Sequence, residues 1–241
     1  MAQKSTKEVK MYLRIRNLCG LLGILLPWIA LFAAGIKLDK PHAWWWSISA
    51  TYYQCDALVG VLVPACIVMM SYIGYEKIDN IVTTLNGLFG LGIVLFPCKV
   101  AWIPEGTPVG FFQLPMEFSH KLHAACAALF FILAAINTLF LFTKHGSTMT
   151  ERKRIRNVIY RICGWGMLGL LALLIGLVLL GVPGWVVMII EILLLQLFGF
   201  AWLVKGEFFS CFNDKEEDTV TVGSSSTRKS LDSDMRTEVT D

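Results

Sequence analysis

The sequence predicts an all-α membrane protein, a bundle of six transmembrane helices. Of its 241 residues, 56% are hydrophobic and only 16% are charged, whereas about a quarter of the residues in soluble domains are charged. The hydrophobic residues also fall into blocks of roughly twenty, the length that a helix needs to cross a hydrocarbon core about 30 Å thick. So little polar sequence leaves no room for a soluble catalytic domain, and any chemistry must use the spans or their short loops.

Six hydrophobic segments follow a basic N-terminal segment, residues 1–16. The predicted spans are residues 17–36, 55–75, 81–103, 121–143, 158–181 and 184–204, and together they form a membrane domain over residues 17–207. The first span is interpreted as a signal anchor, because it is long and five more spans follow. Pro97 and Lys99 interrupt the third span. Pro183 and Gly184 interrupt the helical pattern between the last two spans. These two spans should therefore pack as an antiparallel pair.

Lysine and arginine are concentrated in segments that six spans would place on one side of the membrane. These segments precede span one, join spans two and three, and join spans four and five. The positive-inside rule predicts that this side is cytosolic, together with both termini.

Residues 208–241, rich in serine, threonine and acidic residues, are predicted to be a disordered cytosolic tail. The net charge of +3 does not indicate a nucleic-acid partner, and the predicted partners are the lipid bilayer and a lipid or small molecule.

Other residue types predict packing rather than chemistry. Glycines recur in "LNGLFGLG" and "CGWGMLGLLALLIG", where small residues let helices approach closely in lipid. The tryptophans of "HAWWWS" fit an aromatic belt at the headgroup level. Cys55 and Cys98 both fall at outer ends of spans, where an oxidising compartment would permit a disulfide. The sequence leaves open whether they pair.

Ionisable residues recur at one depth on the outer side. Asp56 opens span two, His120 and His123 open span four, and Glu191 lies about two turns into span six. Such residues are costly in lipid and usually face the bundle interior or a watery cavity. The sequence therefore predicts an outward-facing polar cavity that binds a small ligand, a lipid headgroup or an ion. A protein with such a cavity could also transport the bound molecule. The predicted lining residues are Ser47, Ser49, Tyr53, Asp56 and Glu191.

An alternative interpretation is a metal-dependent hydrolase of a lipid amide or ester. His120 and His123 are three residues apart and share a helix face, so with Asp56, and with His42 if its loop folds inward, they could bind zinc. The metal would activate a water molecule, with Glu191 as the candidate general base. In the structural alternative, Asp56 caps span two and Glu191 pairs with Lys99 or is neutral. A further alternative is a scaffold that acts through its cytosolic tail.

Two segments carry a resemblance to a family of small polytopic membrane proteins best known from bacteria. The segments are "SISATYYQCDALVGVLV" and "FGFAWLVKGE", and the resemblance extends over about residues 17–207. Ser47, Ser49, Tyr52, Tyr53 and Asp56 match that family's serines, tyrosines and aspartate, whereas Cys55 stands where the family has arginine. The resemblance implies the fold but no activity. The chain is only loosely similar to the alkaline ceramidase and adiponectin-receptor hydrolases, whose serine, aspartate and histidines bind zinc.

Overall fold

The computed structural model describes residues 2–36, 46–74, 76–144 and 149–214, and within these ranges the chain is a bundle of six α-helices. The helices are α1 (Ala2–Ile36), α2 (Ala57–Met70), α3 (Lys77–Leu95), α4 (Met116–Ile136), α5 (Glu151–Leu179) and α6 (Gly184–Lys205). A 3₁₀ helix (Ser49–Tyr53) precedes α2, a π-helical segment (Asn137–Leu141) extends α4, and a second 3₁₀ helix (Ser210–Phe212) follows α6. Two short strands, β1 (Pro108–Val109) and β2 (Leu114–Pro115), form an antiparallel hairpin between α3 and α4.

Each helix packs against its neighbours in the sequence, and α1 also packs against α6, so the six helices form a closed ring. α5 and α6 are an antiparallel pair, as the tight turn at Pro183 predicts. At the crossing of α1 and α6, Gly20 and Gly199 face each other, and a Cβ atom on either would lie within 2.8 Å of the other's carbonyl oxygen. Glycine is therefore what allows these two backbones to approach so closely.

Five of the helices are long and hydrophobic enough to cross a membrane, and α2, with 14 residues, is a shorter hydrophobic helix. The residue before its N-cap, Cys55, contacts the carbonyl of Ala30 late in α1, whereas Tyr72, just after α2, accepts a hydrogen bond from Arg16, early in α1. α2 therefore runs from one end of the bundle to the other, like the five longer helices. The predicted all-α membrane bundle is confirmed.

Several predicted boundaries differ from the helix ends. α3 ends at Leu95, well before residue 103, because Pro97 disfavours a helical backbone at Phe96, which has φ −118° and ψ 85°. Lys99 consequently lies in a loop beyond α3. The helices α1 and α5 begin before the predicted spans, since their basic first turns are helical as well. Hydropathy locates the apolar part of a helix. The helix itself can begin earlier, in polar sequence.

The two ends of the bundle differ in chemistry. One end, here called the loop end, comprises residues 46–56, 96–115 and 180–183. The other, here called the basic end, comprises the segment around Arg16 and residues 72–74, 76–79, 142–144, 149–153 and 205–214. At the basic end Lys144 forms salt bridges with Glu76 (2.9 Å) and Asp79 (3.0 Å), which join the start of α3 to the chain just after the π-helical segment.

All seven cysteines are free thiols in the structure, so the disulfide considered for Cys55 and Cys98 is not formed. Cys98 is buried beneath the hairpin loop, in a small cluster that includes Met116 and Val109. Burial raises the pKa of the Cys98 thiol, and the nearby charge of Glu191 raises it further. Cys98 is thus an inert packing residue.

Candidate functional site

A single carboxylate, Glu191 of α6, anchors the polar site inside the bundle. Glu191 lies seven residues after the start of α6, which places it about 10 Å along the helix. Its Oε2 accepts a hydrogen bond from the backbone N–H of Ile48 (2.6 Å), and its Oε1 accepts one from the Ser49 hydroxyl (2.8 Å). Short bonds to a carboxylate are the strong kind, and they offset part of the cost of removing its charge from water.

The loop that supplies these donors is held against the first turn of α6. A Cβ atom at Gly184 would lie 2.5 Å from the carbonyl oxygen of Trp46, so glycine is required for the Trp46 backbone to reach this position. The Trp46 ring also packs edge-on against Trp102, with ring centroids 6.4 Å apart. From Trp46 the chain follows α6 toward Glu191.

Two local hydrogen bonds then turn the chain into the 3₁₀ helix. The Ser47 hydroxyl accepts from the Ala50 N–H (2.9 Å), and the Thr51 hydroxyl donates to the Ile48 carbonyl (2.6 Å). Serine and threonine often stabilise turns in this way. The turn leaves the Ile48 N–H and the Ser49 hydroxyl directed at Glu191, so Ser47 supports the site without contacting the carboxylate.

An internal cavity of about 80 Å³ opens beside Glu191. Its volume is several times what one water molecule needs. Every one of the six helices contributes to the wall, which among the described residues is hydrophobic apart from Ser49 and Glu191. The lining residues are Leu26, Ile48, Ser49, Leu58, Leu62, Ile93, Ala127, Phe130, Phe131, Leu171, Leu174, Glu191 and Leu195.

The structure brings together two of the five residues predicted to line the cavity, Ser49 and Glu191. Tyr53 instead donates from its hydroxyl to the Cys98 carbonyl (2.8 Å), which ties the 3₁₀ helix to the loop after α3. Asp56 is exposed at the N-cap position of α2 and makes no side-chain hydrogen bond there. Its position thus fits the capping interpretation, although its side chain forms no cap.

The two candidate metal-ligating histidines bond to different backbone groups at the end of α3. His123 is buried, and its Nδ1 lies 3.1 Å from the Ile93 carbonyl and 2.9 Å from the Phe96 carbonyl. Both partners are acceptors, so this Nδ1 carries the hydrogen. His120 Nδ1 instead accepts from the Lys99 N–H (3.2 Å), so in the neutral ring its hydrogen is on Nε2.

Lys99 pairs with Glu105 (2.5 Å) rather than with Glu191. This exposed ion pair raises the pKa of Lys99 and lowers the pKa of Glu105. Among the described residues, no group of three or more histidine, cysteine, aspartate or glutamate side chains is placed to hold a metal ion. His42, considered as an additional ligand, lies outside the described residues, as do Trp44 and Trp45.

The sequence identified Glu191 and Ser49 but missed the hydrophobic wall and the backbone donor. The Ile48 N–H carries no signal in the sequence, because every residue except proline has one. Leu195, four residues after Glu191, shares its helix face. This spacing could have indicated that a hydrophobic wall lies beside the carboxylate.

Comparison with known proteins adds no relative: no known protein family, no curated protein and no solved structure matches the chain. The function is therefore inferred from the geometry of the Glu191 site.

Proposed function

We propose that this multi-pass membrane protein binds a small amphipathic molecule in the cavity between its helices, with Glu191 receiving the polar end of that molecule. The observation that carries the proposal is one carboxylate in a cavity whose wall is otherwise almost entirely hydrophobic. Ligand sites typically combine apolar walls with a few placed polar groups. A carboxylate within a span is costly and usually marks a functional site.

The hydrogen bonds of Glu191 define the ligand chemistry. An ionised carboxylate offers about four acceptor positions on its two oxygens. The Ile48 N–H and the Ser49 hydroxyl use one on each oxygen, and the Ser49 backbone N–H also acts on the carboxylate, so one acceptor position is available to a ligand. The matching group is a hydrogen-bond donor such as a hydroxyl, an amide N–H or an ammonium, attached to a hydrocarbon portion that fits the leucine and phenylalanine wall.

Binding needs only this cavity and its carboxylate. Zinc-dependent hydrolysis would need three protein ligands around an open position, and the described residues supply no such group. We further propose that the basic end faces the cytosol, together with both termini, because of the excess of lysine and arginine in the segments at that end. The Glu191 cavity then lies nearer the outer leaflet.

The test is native mass spectrometry of the detergent-purified protein, comparing two substitutions in α6. Leu195→Phe would place a ring in part of the cavity and narrow it, because Leu195 lines it and is only 8% exposed. Leu193→Phe adds the same ring to the same helix at a site 45% exposed and is the matched control. We expect a small molecule bound to wild type and to Leu193→Phe and depleted several-fold in Leu195→Phe. Equal occupancy in all three proteins, or no bound molecule in wild type, would contradict the proposal.

A further inference from the structure

Four cationic side chains from three helices gather at the basic end. They are Arg16 of α1, Lys153 and Arg156 of α5, and Lys205 of α6. The Nζ atoms of Lys153 and Lys205 both donate to the Phe142 carbonyl, at 3.0 and 3.3 Å, so the two ammonium groups lie side by side. Arg16 donates to the Lys205 carbonyl (3.4 Å), which brings its guanidinium to the same place.

Aromatic rings form the floor under these cations. Lys205 lies over the Phe142 ring and Lys153 over the Tyr160 ring, at 5.3 and 5.6 Å from the centroids. Phe142 and Tyr160 pack against each other, with centroids 5.6 Å apart, and both are 1% exposed. Contacts with ring faces favour a cation modestly. They also hold the lysine side chains at fixed positions above a rigid surface.

Among the described residues, three positive charges and one negative charge act on Lys205. The charges of Lys153, Arg16 and Arg156 each act unfavourably on Lys205, and Asp79 acts favourably. Asp79 is already engaged by Lys144 at 3.0 Å. Asp214, which acts favourably on Lys153, is likewise engaged by Arg156 at 2.7 Å. Like charges at this separation in a partly buried place repel one another, and an added anion would relieve that repulsion.

We propose that the cluster of Arg16, Lys153 and Lys205 binds the phosphate group of an anionic phospholipid. Lys205 is the last residue of one membrane span and Lys153 lies in the first turn of another, so their side chains are at the level where phosphates of lipid headgroups lie. Basic pockets between transmembrane helices on the cytoplasmic side bind anionic headgroups. Several cationic donors around one point match the oxygens of a phosphate group. This site is distinct from the Glu191 cavity, which is near the other end of the bundle.

The test is thermal unfolding of the full-length protein in neutral detergent, titrated with short-chain phosphatidic acid, short-chain phosphatidylcholine or inorganic phosphate. We expect phosphatidic acid to raise the unfolding temperature of wild type. The apparent affinity should fall on the order of tenfold or more in Lys153→Gln/Lys205→Gln, because each substitution removes a charge-assisted hydrogen bond to the phosphate group. If the double variant does not fold, the single variant Lys153→Gln serves in its place, since Lys153 is partly exposed.

Arg154→Gln is the matched control, because Arg154 is adjacent to Lys153 on the same helix but is exposed. It loses the same charge near the same membrane surface, and it should keep nearly all of the response to phosphatidic acid. An equal loss in Arg154→Gln would show general surface attraction and overturn the site. Equal stabilisation by phosphatidylcholine would overturn the preference for anionic lipid. Equal stabilisation by inorganic phosphate at the same concentration would overturn a lipid as the source of the phosphate.

Discussion

At the residue scale, Glu191 shows what sequence and structure each contribute. Its depth within an otherwise hydrophobic span was enough to predict a polar site, because a carboxylate there needs partners. Ser49 was predicted with it, and the hydrogen bond of 2.8 Å between them joins residues 142 positions apart in the sequence. The second partner is the backbone N–H of Ile48, which no residue type encodes. The hydrogen bond from Ile48 could therefore be found only from the structure, because it depends on how the loop folds.

Substitutions at Glu191 and Ser49 should destabilise the protein in a fixed order. Glu191→Leu leaves the Ile48 N–H and the Ser49 hydroxyl without an acceptor, which costs about 2 kcal/mol or more. Glu191→Gln keeps one acceptor oxygen and should cost less. Ser49→Ala removes one bond and should cost the least, about 1 kcal/mol. The free energies of unfolding are measured by titrating the purified protein from mild detergent into a denaturing one.

Glu105→Gln is the control for this series, because the Glu105 side chain is 74% exposed and exposed ion pairs contribute little to stability. Should Glu191→Leu be no more destabilising than Glu105→Gln, the hydrogen bonds of Glu191 would not hold the loop.

For His120 and His123, the sequence predicted the shared helix but not the hydrogen-bond partners. Their spacing correctly puts His120 and His123 on the same helix, α4, where they could act together. The structure gives their Nδ1 atoms opposite roles, because one meets carbonyls and the other meets the Lys99 N–H. Those partners come from the chain after α3, whose path past Pro97 no local pattern specifies.

At the element scale, glycine explains why particular helices pack closely. Gly87, Gly90 and Gly164 each leave room for a side chain or backbone atom of the neighbouring helix, since an added Cβ atom would lie within 2.7 Å of one. Gly169 and Gly176, in the same predicted motif as Gly164, meet nothing within 4 Å. The sequence thus predicted glycine packing but could not tell which glycines face a neighbour, because that depends on how each helix is rotated in the bundle.

Gly199→Ala and Gly169→Ala should therefore have different effects. The Gly199 methyl group would lie 2.7 Å from the Gly20 carbonyl and 2.8 Å from the Ile24 nitrogen, and these backbone atoms can move only if α1 and α6 separate. We expect a loss of about 1–3 kcal/mol, as for overpacked cores. Gly169→Ala should be neutral or slightly stabilising, since alanine is the better helix former.

The measurement for this pair is again the free energy of unfolding in detergent. Equal losses for the two glycines would mean that α1 and α6 are not in close contact at Gly199.

The number and order of the helices were predictable, whereas several of their ends were not. Span six was predicted as 184–204 and α6 is Gly184–Lys205, because Pro183 and the last lysine mark both ends. α2 is the opposite case, since it stops at Met70 while hydrophobic sequence continues. Where turn residues bound a helix, the sequence predicts its end, and elsewhere tertiary packing decides.

At the scale of the whole molecule, the closed ring of six helices separates two kinds of chemistry. Near the loop end, the ring encloses a hydrophobic cavity with one carboxylate. At the basic end, three helices present cations over buried aromatic rings.

The most direct test of the Glu191 cavity is the reaction of the membrane-embedded protein with dicyclohexylcarbodiimide, a hydrophobic reagent. A carboxyl group adds to this reagent without a leaving group and gives a stable acylurea, which is located by mass spectrometry of peptides. We predict modification at Glu191 in wild type and in Leu193→Phe, reduced several-fold in Leu195→Phe. A water-soluble carbodiimide should instead modify the exposed Glu105. Absence of modification at Glu191, or equal modification in Leu195→Phe, would contradict a cavity that admits hydrophobic molecules to this carboxylate.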